Sequence, residues 1–390
     1  MIDITAWTHL THVWDGLMIK HTPYYHRLAH AGAQFQDRGG FATINYLTSI
    51  EDEHRAVRER VGMFDVYYQV AVEVKGRDAE SLLCRALVND VRRLRDGAAL
   101  YSSICNDAGG IIDDLTCFRF SGSRFWVSPT PSRVTVVTAF LEGLAGDLNV
   151  AVTNLGYSNA YLSVQGPRSR DVLAKLTAVD LATSSLPFFT FVTGKVAGIP
   201  EAVISRTGYS GELGFELFFS VEYAEHVWDA VTEAGAPYEI RVCGMKTMRS
   251  LRIEKMYLLY GLDISTETDP LSAGIGWTVR FDDRAFSGRT ALEKIAAAGI
   301  KRKLCLLDTG GFHPIVHGEN VLVGGETVAT ITSGDPGYSL GKTLAFAYLP
   351  LALARPGTEV RVVVKERETQ VVAHVLTRAP YDPERKRLTE

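Results

Sequence analysis

Cysteine is scarce in this chain and never arranged in a motif. Its five copies, Cys84, Cys105, Cys117, Cys243 and Cys305, form no CxxC, and an odd number cannot close into a complete disulfide framework. They read as buried or incidental thiols. Long apolar runs are missing too: none approaches the roughly 20 residues that a membrane-spanning helix needs. The start MIDITAWTHL lacks the basic-then-apolar order of a secretion signal, so a cytoplasmic protein that meets no membrane is expected. Positive charge is not in excess. With a formal net charge of -4, and with the run RRLR at 92–95 too short to be a phosphate-neutralising track, no nucleic-acid partner is expected. No GxGxxG follows an N-terminal strand and no GxxxxGK[ST] occurs, which excludes the Rossmann and P-loop nucleotide cradles. Histidines pair at His9/His12, His26/His30 and His313/His317, but no thiol or carboxylate ligand set follows at metal-site spacing, and Pro314 interrupts the last pair. No metal is expected.

What is present is an ordinary globular composition, 46% hydrophobic and 22% charged over 390 residues, enough for two or three domains. Ser49 and Asp52 open a segment with acids in front and arginines behind, which predicts a capped helix ending near Gly62. QVAVEVKG has strand period at valines 70, 72 and 74, and DAESLLCRALVNDV has helix period at Leu82, Leu83, Ala86 and Leu87. The same strand-then-helix order recurs at AYLSVQGPRSRDVLAKL and at EAVISRTGYSGELGFELFFSVEYAEHVWDAV. Strands and helices alternate with hairpins between them, which predicts an α+β fold rather than a doubly wound sheet. From about residue 300 the pattern changes to short strands joined by Gly, Asp and charged turns, a separate β-barrel module. The expected division is 1–297, two intertwined α+β subdomains, and 298–390, the barrel, with the boundary in AAAGIKRK.

Three stretches carry candidate chemistry. SRTGYSGELGFELFF holds three glycines between two apolar strands, so the backbone there takes positive φ or something approaches it closely. In CNDAGGIIDDLTCFRF, Asp113 and Asp114 are adjacent on a strand and must point to opposite faces. One of them faces inward, paired with a base or held for a cationic ligand, unless both are solvated beside the turn. In GMKTMRSLRIEKM, Arg252 presents a planar fork to a carboxylate or a heteroaromatic ring, or RSLRIEK is a salt-bridged surface. The aromatic-rich stretch 21–46 is either the wall of a donor pocket or ordinary core.

These segments resemble the glycine-cleavage T protein (aminomethyltransferase) family. RTGYSGELGFE is similar to its RTGYTGEDGFE-type motif, NDAGGIIDDL to its GGIIDDL strand, and SLRIE with YGLDI to its SLRLE and YG segments. MFDV, VQGP, PLSAGIGWTV and the SGD…YSLG pair fall in the family's order. The resemblance implies a three-part, ring-like α+β fold closed by a C-terminal barrel, with tetrahydrofolate as cosubstrate in the central channel and the pterin entering among the glycine-rich turns. It implies Asp113 as the catalytic carboxylate, and Tyr101, Asp113, Tyr209, Glu216 and Arg252 as folate contacts. Two departures bear on the donor. Met248 stands where the aminomethyltransferase pattern has its first Arg and Arg249 where it has Asp, and MFDV continues into Tyr67, Tyr68 and Gln69. Both resemble the folate-dependent demethylase branch, which implies a methyl or methylene transferase acting on a small N-, S- or O-methyl compound. The alternatives are the aminomethyltransferase itself, with a lipoyl carrier protein as partner, and a non-catalytic folate-binding regulatory protein.

Overall fold

The computed structural model describes residues 19–389 except 39, 68, 70 and 157; His9, His12, Tyr68, Val70 and the opening MIDITAWTHL lie outside the described residues. Among the described residues, two large sheets, a barrel and a two-stranded ribbon, Phe35–Arg38 with Phe41–Ile44, carry the strands. The first sheet runs Phe191–Val196, Ile199–Ser205, Gly214–Ser220, Asn159–Gln165, Gly62–Asp65 and Arg241–Cys243, antiparallel except for the last pair. The second runs Ala98–Cys105, Ile111–Ser121, Arg124–Pro129, Val72–Lys75 and Ala151–Asn154, antiparallel throughout. The six-stranded barrel begins at Arg302–Asp308 and closes where that strand pairs with the last one, Thr369–Leu376. This is the expected three-part α+β architecture with a C-terminal barrel. No helix among the described residues is long and apolar enough to cross a membrane.

Local chemistry accounts for the elements. Ser49 Oγ accepts the Asp52 N–H at 3.1 Å and starts helix Ile50–Glu59, with Glu51, Asp52 and Glu53 in its first turn. Helices Ala79–Ala86 and Val134–Ala145 bury Leu82, Leu83, Val137 and Leu141 on one face of the second sheet, against Val72, Val74, Leu115 and Cys117. Helix Ala224–Gly235 buries Val227, Trp228 and Val231 on one face of the first sheet, against Leu162, Phe215 and Leu217. Tyr24 and Leu28 from the aromatic-rich stretch join this same core, so that part of the stretch is packing.

The two remaining sheet faces turn toward each other. Phe118 and Trp126 from the second sheet meet Tyr161, Val203 and Phe218 from the first, with Met248 and Leu251 of helix Met245–Glu254 at the edge. Each such side chain contributes roughly 1.5–3 kcal/mol by burial, so the apposition is fixed. Where the register is regular, period-2 alternation then assigns a strand residue either to a helix-covered face or to the space between the sheets.

Candidate active site

Register separates the two adjacent aspartates. Asp113 follows the parity of Leu115 and Cys117, which lie under the helices, whereas Asp114 follows Thr116 and Phe118, which look toward the first sheet. Tyr101 is paired with Thr116 and therefore shares the Asp114 face. Its hydroxyl donates to Asp114 Oδ2 at 2.7 Å, and Asp114 Oδ1 has no hydrogen-bond partner among the described residues. Burial pushes the Asp114 carboxyl up to about 6, partly offset by the Tyr101 hydroxyl. Asp113 is fully buried and accepts the Thr130 N–H at 2.8 Å through Oδ2, with Oδ1 unpartnered. Burial, with the Asp114 charge beside it, lifts its carboxyl well above the usual carboxylate range. The acid that looks into the space between the sheets is thus Asp114 rather than the expected Asp113. The bulge in this strand falls at Ile112, which joins the helix-covered core, and the register is regular from Asp113 through Cys117.

Glu216 reaches the same space from the opposite side. It shares the parity of Phe218 on strand Gly214–Ser220, accepts a hydrogen bond from Thr207 Oγ1, and has Tyr161 hydrogen-bonded to it as well. Burial raises its pKa and both hydroxyls lower it. Tyr209 packs against this inter-sheet core, donates to the Leu258 carbonyl and stacks on Tyr257 with ring centroids 5.7 Å apart.

The glycines around Tyr209 serve the protein's own side chains. A Cβ at Gly208 or Gly214 would lie 2.1 or 2.2 Å from Gln165 Oε1, and one at Gly211, whose φ is +79°, would lie 2.1 Å from Lys255 Cγ. Gln165 is fully buried, accepts from Ser210 Oγ at 2.7 Å and donates to the Thr207 carbonyl at 3.3 Å. At these three positions the room left by the missing side chains is filled by Gln165 and Lys255, which corrects the expectation that it is kept for a flat heterocycle. Gly214→Ala is accordingly expected to cost about 1–3 kcal/mol through overpacking, read as a lowered denaturant midpoint at unchanged slope. A midpoint equal to wild type would mean that Gln165 moves aside freely.

Arg252 is buried without exposed surface. Nη1 donates to Asp263 Oδ2 at 2.6 Å and to the Tyr257 carbonyl at 3.0 Å, and Nη2 to Asp335 Oδ2 at 3.2 Å. Its two Nη atoms are engaged by two internal carboxylates and a carbonyl, joining helix Met245–Glu254 to barrel strand Glu326–Gly337, while the buried Nε has no partner among the described residues. Glu254 is buried as well, so RSLRIEK is no solvated surface. Arg249 pairs with Asp335 at 3.0 Å, and Met248 lies in the apolar inter-sheet core.

Several neighbours were not singled out by sequence. Trp277, 62% exposed, stacks on Tyr101 with centroids 6.0 Å apart. Arg133 lies over the Tyr260 ring at 4.9 Å and donates to the Ile112 carbonyl at 3.0 Å. Trp277 and Tyr260 stand inside the GIGWTV and YGLDI segments, so the signal was present. What was lacking was any sign that these loops return to Tyr101 and Asp114.

Residues 24–283 match the family described as GCVT N-terminal domain, and residues 302–382 match the glycine cleavage T-protein C-terminal barrel domain. The chain belongs to the glycine-cleavage T-protein family. Among its relatives in that family, the aminomethyltransferase of Halothermothrix orenii is 36% identical over 349 residues, covering 90% of this chain and 97% of that protein. The aminomethyltransferase of Streptomyces avermitilis is 39% identical over 331 residues, covering 84% and 88%. The crystal structure of glycine cleavage system aminomethyltransferase T from Bartonella henselae superposes with a TM-score of 0.86 at 27% identity, covering 94% of this chain and 99% of that one. T-protein kinship thus extends through both the sheet region and the barrel.

Proposed function

We propose that the protein is a tetrahydrofolate-dependent one-carbon transferase whose reacting centre lies between the two sheets. The observation that carries this reading is Asp114, a half-buried residue whose carboxylate has one oxygen held by Tyr101 and the other shielded and unpartnered, facing the sheet that bears Glu216. A one-carbon unit reaches a folate nitrogen as a cationic methylene or from a positively charged leaving group. A carboxylate fixed in a dry site stabilises that charge without reorganising, and Asp114 Oδ1 is free to take up or return a proton. Glu216 accepts hydrogen bonds from the donor-rich aminopyrimidine edge, while Tyr101, Trp277 and Tyr209 supply flat walls for the ring system. Asp113 lies on the other face of the strand, where the Asp114 charge disfavours its ionised form.

For the donor, the kinship to aminomethyltransferases favours an aminomethyl group carried on the lipoyl arm of a partner protein. A second reading, demethylation of a small N-, S- or O-methyl compound, rests on Met248: an apolar thioether in the inter-sheet core supplies no cation there. Calorimetry with tetrahydrofolate tests the common part, because a ligand of the native state alone also raises the melting temperature by mass action. Neither heat nor a thermal shift at saturating concentration would end the folate reading. The donor is then decided by mass spectrometry of the folate product. Product formed only with an aminomethylated lipoyl carrier supports the first donor, and product formed from methylated compounds alone supports the second.

A further inference from the structure

We infer that the segment after the barrel, residues 381–388, is a positioning element of the folate site, clamping the turn that carries Tyr209. The last barrel strand ends at Leu376, and the chain then returns across the N-terminal region to the turn 206–213. That turn lacks helix or strand and relies on side-chain anchors. The tail supplies four, through Tyr381, Asp382, Arg387 and Leu388. Tyr381 Oη donates to Glu212 Oε1 at 2.5 Å and Arg387 Nε to Glu212 Oε2 at 3.1 Å, so both oxygens of a buried carboxylate are engaged from the tail. Asp382 accepts from Lys255 Nζ at 3.1 Å, and the stem of that same lysine packs on Gly211. The Leu388 carbonyl accepts from Arg206 Nη2 at 3.0 Å.

The anchors also connect to the elements beneath. Arg58 lies 3.9 Å over the Tyr381 ring, bonds Glu212 Oε1 at 3.1 Å and Glu254 Oε2 at 2.8 Å, and accepts Arg387 Nη2 at its own carbonyl. Glu212 is therefore held from two sides, by a helix that belongs to the sheet region and by a tail that comes from the barrel. Without the tail, one side of this buried carboxylate is left to solvent and the turn gains freedom. Displacements of about 1 Å in a positioning residue are enough to cost up to ~10²-fold in a site built on orientation. The family match to the barrel stops at residue 382, so Arg387 lies beyond it.

The inference rests on the folate reading for its functional half and on geometry alone for its structural half, and the test separates them. Hydrogen–deuterium exchange over peptides 206–213, tetrahydrofolate affinity by calorimetry and the melting temperature are measured for wild type, Arg387→Ala, Arg387→Lys and Tyr381→Phe. Arg387→Ala is expected to speed exchange in the turn and to weaken tetrahydrofolate about tenfold, with Tyr381→Phe showing a smaller change and Arg387→Lys recovering part of the loss. Unaltered exchange in the turn for both Arg387→Ala and Tyr381→Phe overturns the clamp. Faster exchange with unchanged affinity overturns its role at the site and leaves only a strap. If wild type itself binds no tetrahydrofolate, the functional reading fails, while the exchange data still decide whether the clamp exists.

Discussion

Asp114→Asn is expected to lower turnover by roughly 10²-fold or more, the scale of losing a general acid-base group or a preorganised charge, with the fold intact. The substituted side chain keeps the size and still accepts from Tyr101, so the Tyr101 and Trp277 wall stays in place; only the charge is removed. The pH dependence follows from the same residue. Burial raises the Asp114 carboxyl to about 6, so the charged form that the proposed chemistry needs is lost as pH falls through that value, and the wild-type rate should fall with it. The asparagine variant should lack this acid limb. The sign for stability is opposite: a carboxyl with a raised folded-state pKa favours folding most below its ordinary range, and that contribution disappears as pH rises through about 6. Asp113→Asn serves as the control, since Asp113 lies on the helix-covered parity and holds the Thr130 N–H. A larger loss from Asp113→Asn than from Asp114→Asn in kcat would reverse the assignment and return the role to the first acid.

Arg252→Met is expected to be the most damaging single change to stability, costing about 3–5 kcal/mol. Removing one member of a buried ionic cluster leaves its partners charged and unpaired in a dry site. Here the partners are Asp263, which is fully buried, and Asp335, and the cluster joins the helix that carries Met248 to the barrel. Arg249 still reaches Asp335, so the strain concentrates on Asp263, whose other contacts are the Thr332 and Ser333 hydroxyls and the Leu259 N–H. Denaturant unfolding measures the loss. The double variant Arg252→Met with Asp263→Leu should recover part of it, because it removes the stranded charge. Unfolding of Arg252→Met at the wild-type midpoint would show that water reaches the cluster and relieves it.

Sequence by itself determined the elements, the barrel and the family. Alternation at Val72 and Val74, the Ser49 cap, the helix period through Leu82, Leu83 and Ala86, and the switch to short strands after 300 each depend on interactions within a few residues. Such interactions are written locally in the chain. The ordered motifs from MFDV to YSLG carried the fold class for the same reason. Only tertiary structure decided which acid of the pair faces the space between the sheets. Two adjacent strand residues are equivalent in sequence until it is known which sheet face the helices cover and which one meets a second sheet. The same holds for Arg252, an apparently available fork until Asp263 and Asp335 arrive from 11 and 83 residues away, and for the glycines at 208, 211 and 214, whose space Gln165 and Lys255 occupy. Packing between distant segments fixes which polar groups are spent internally and which remain for a ligand. No local pattern records that.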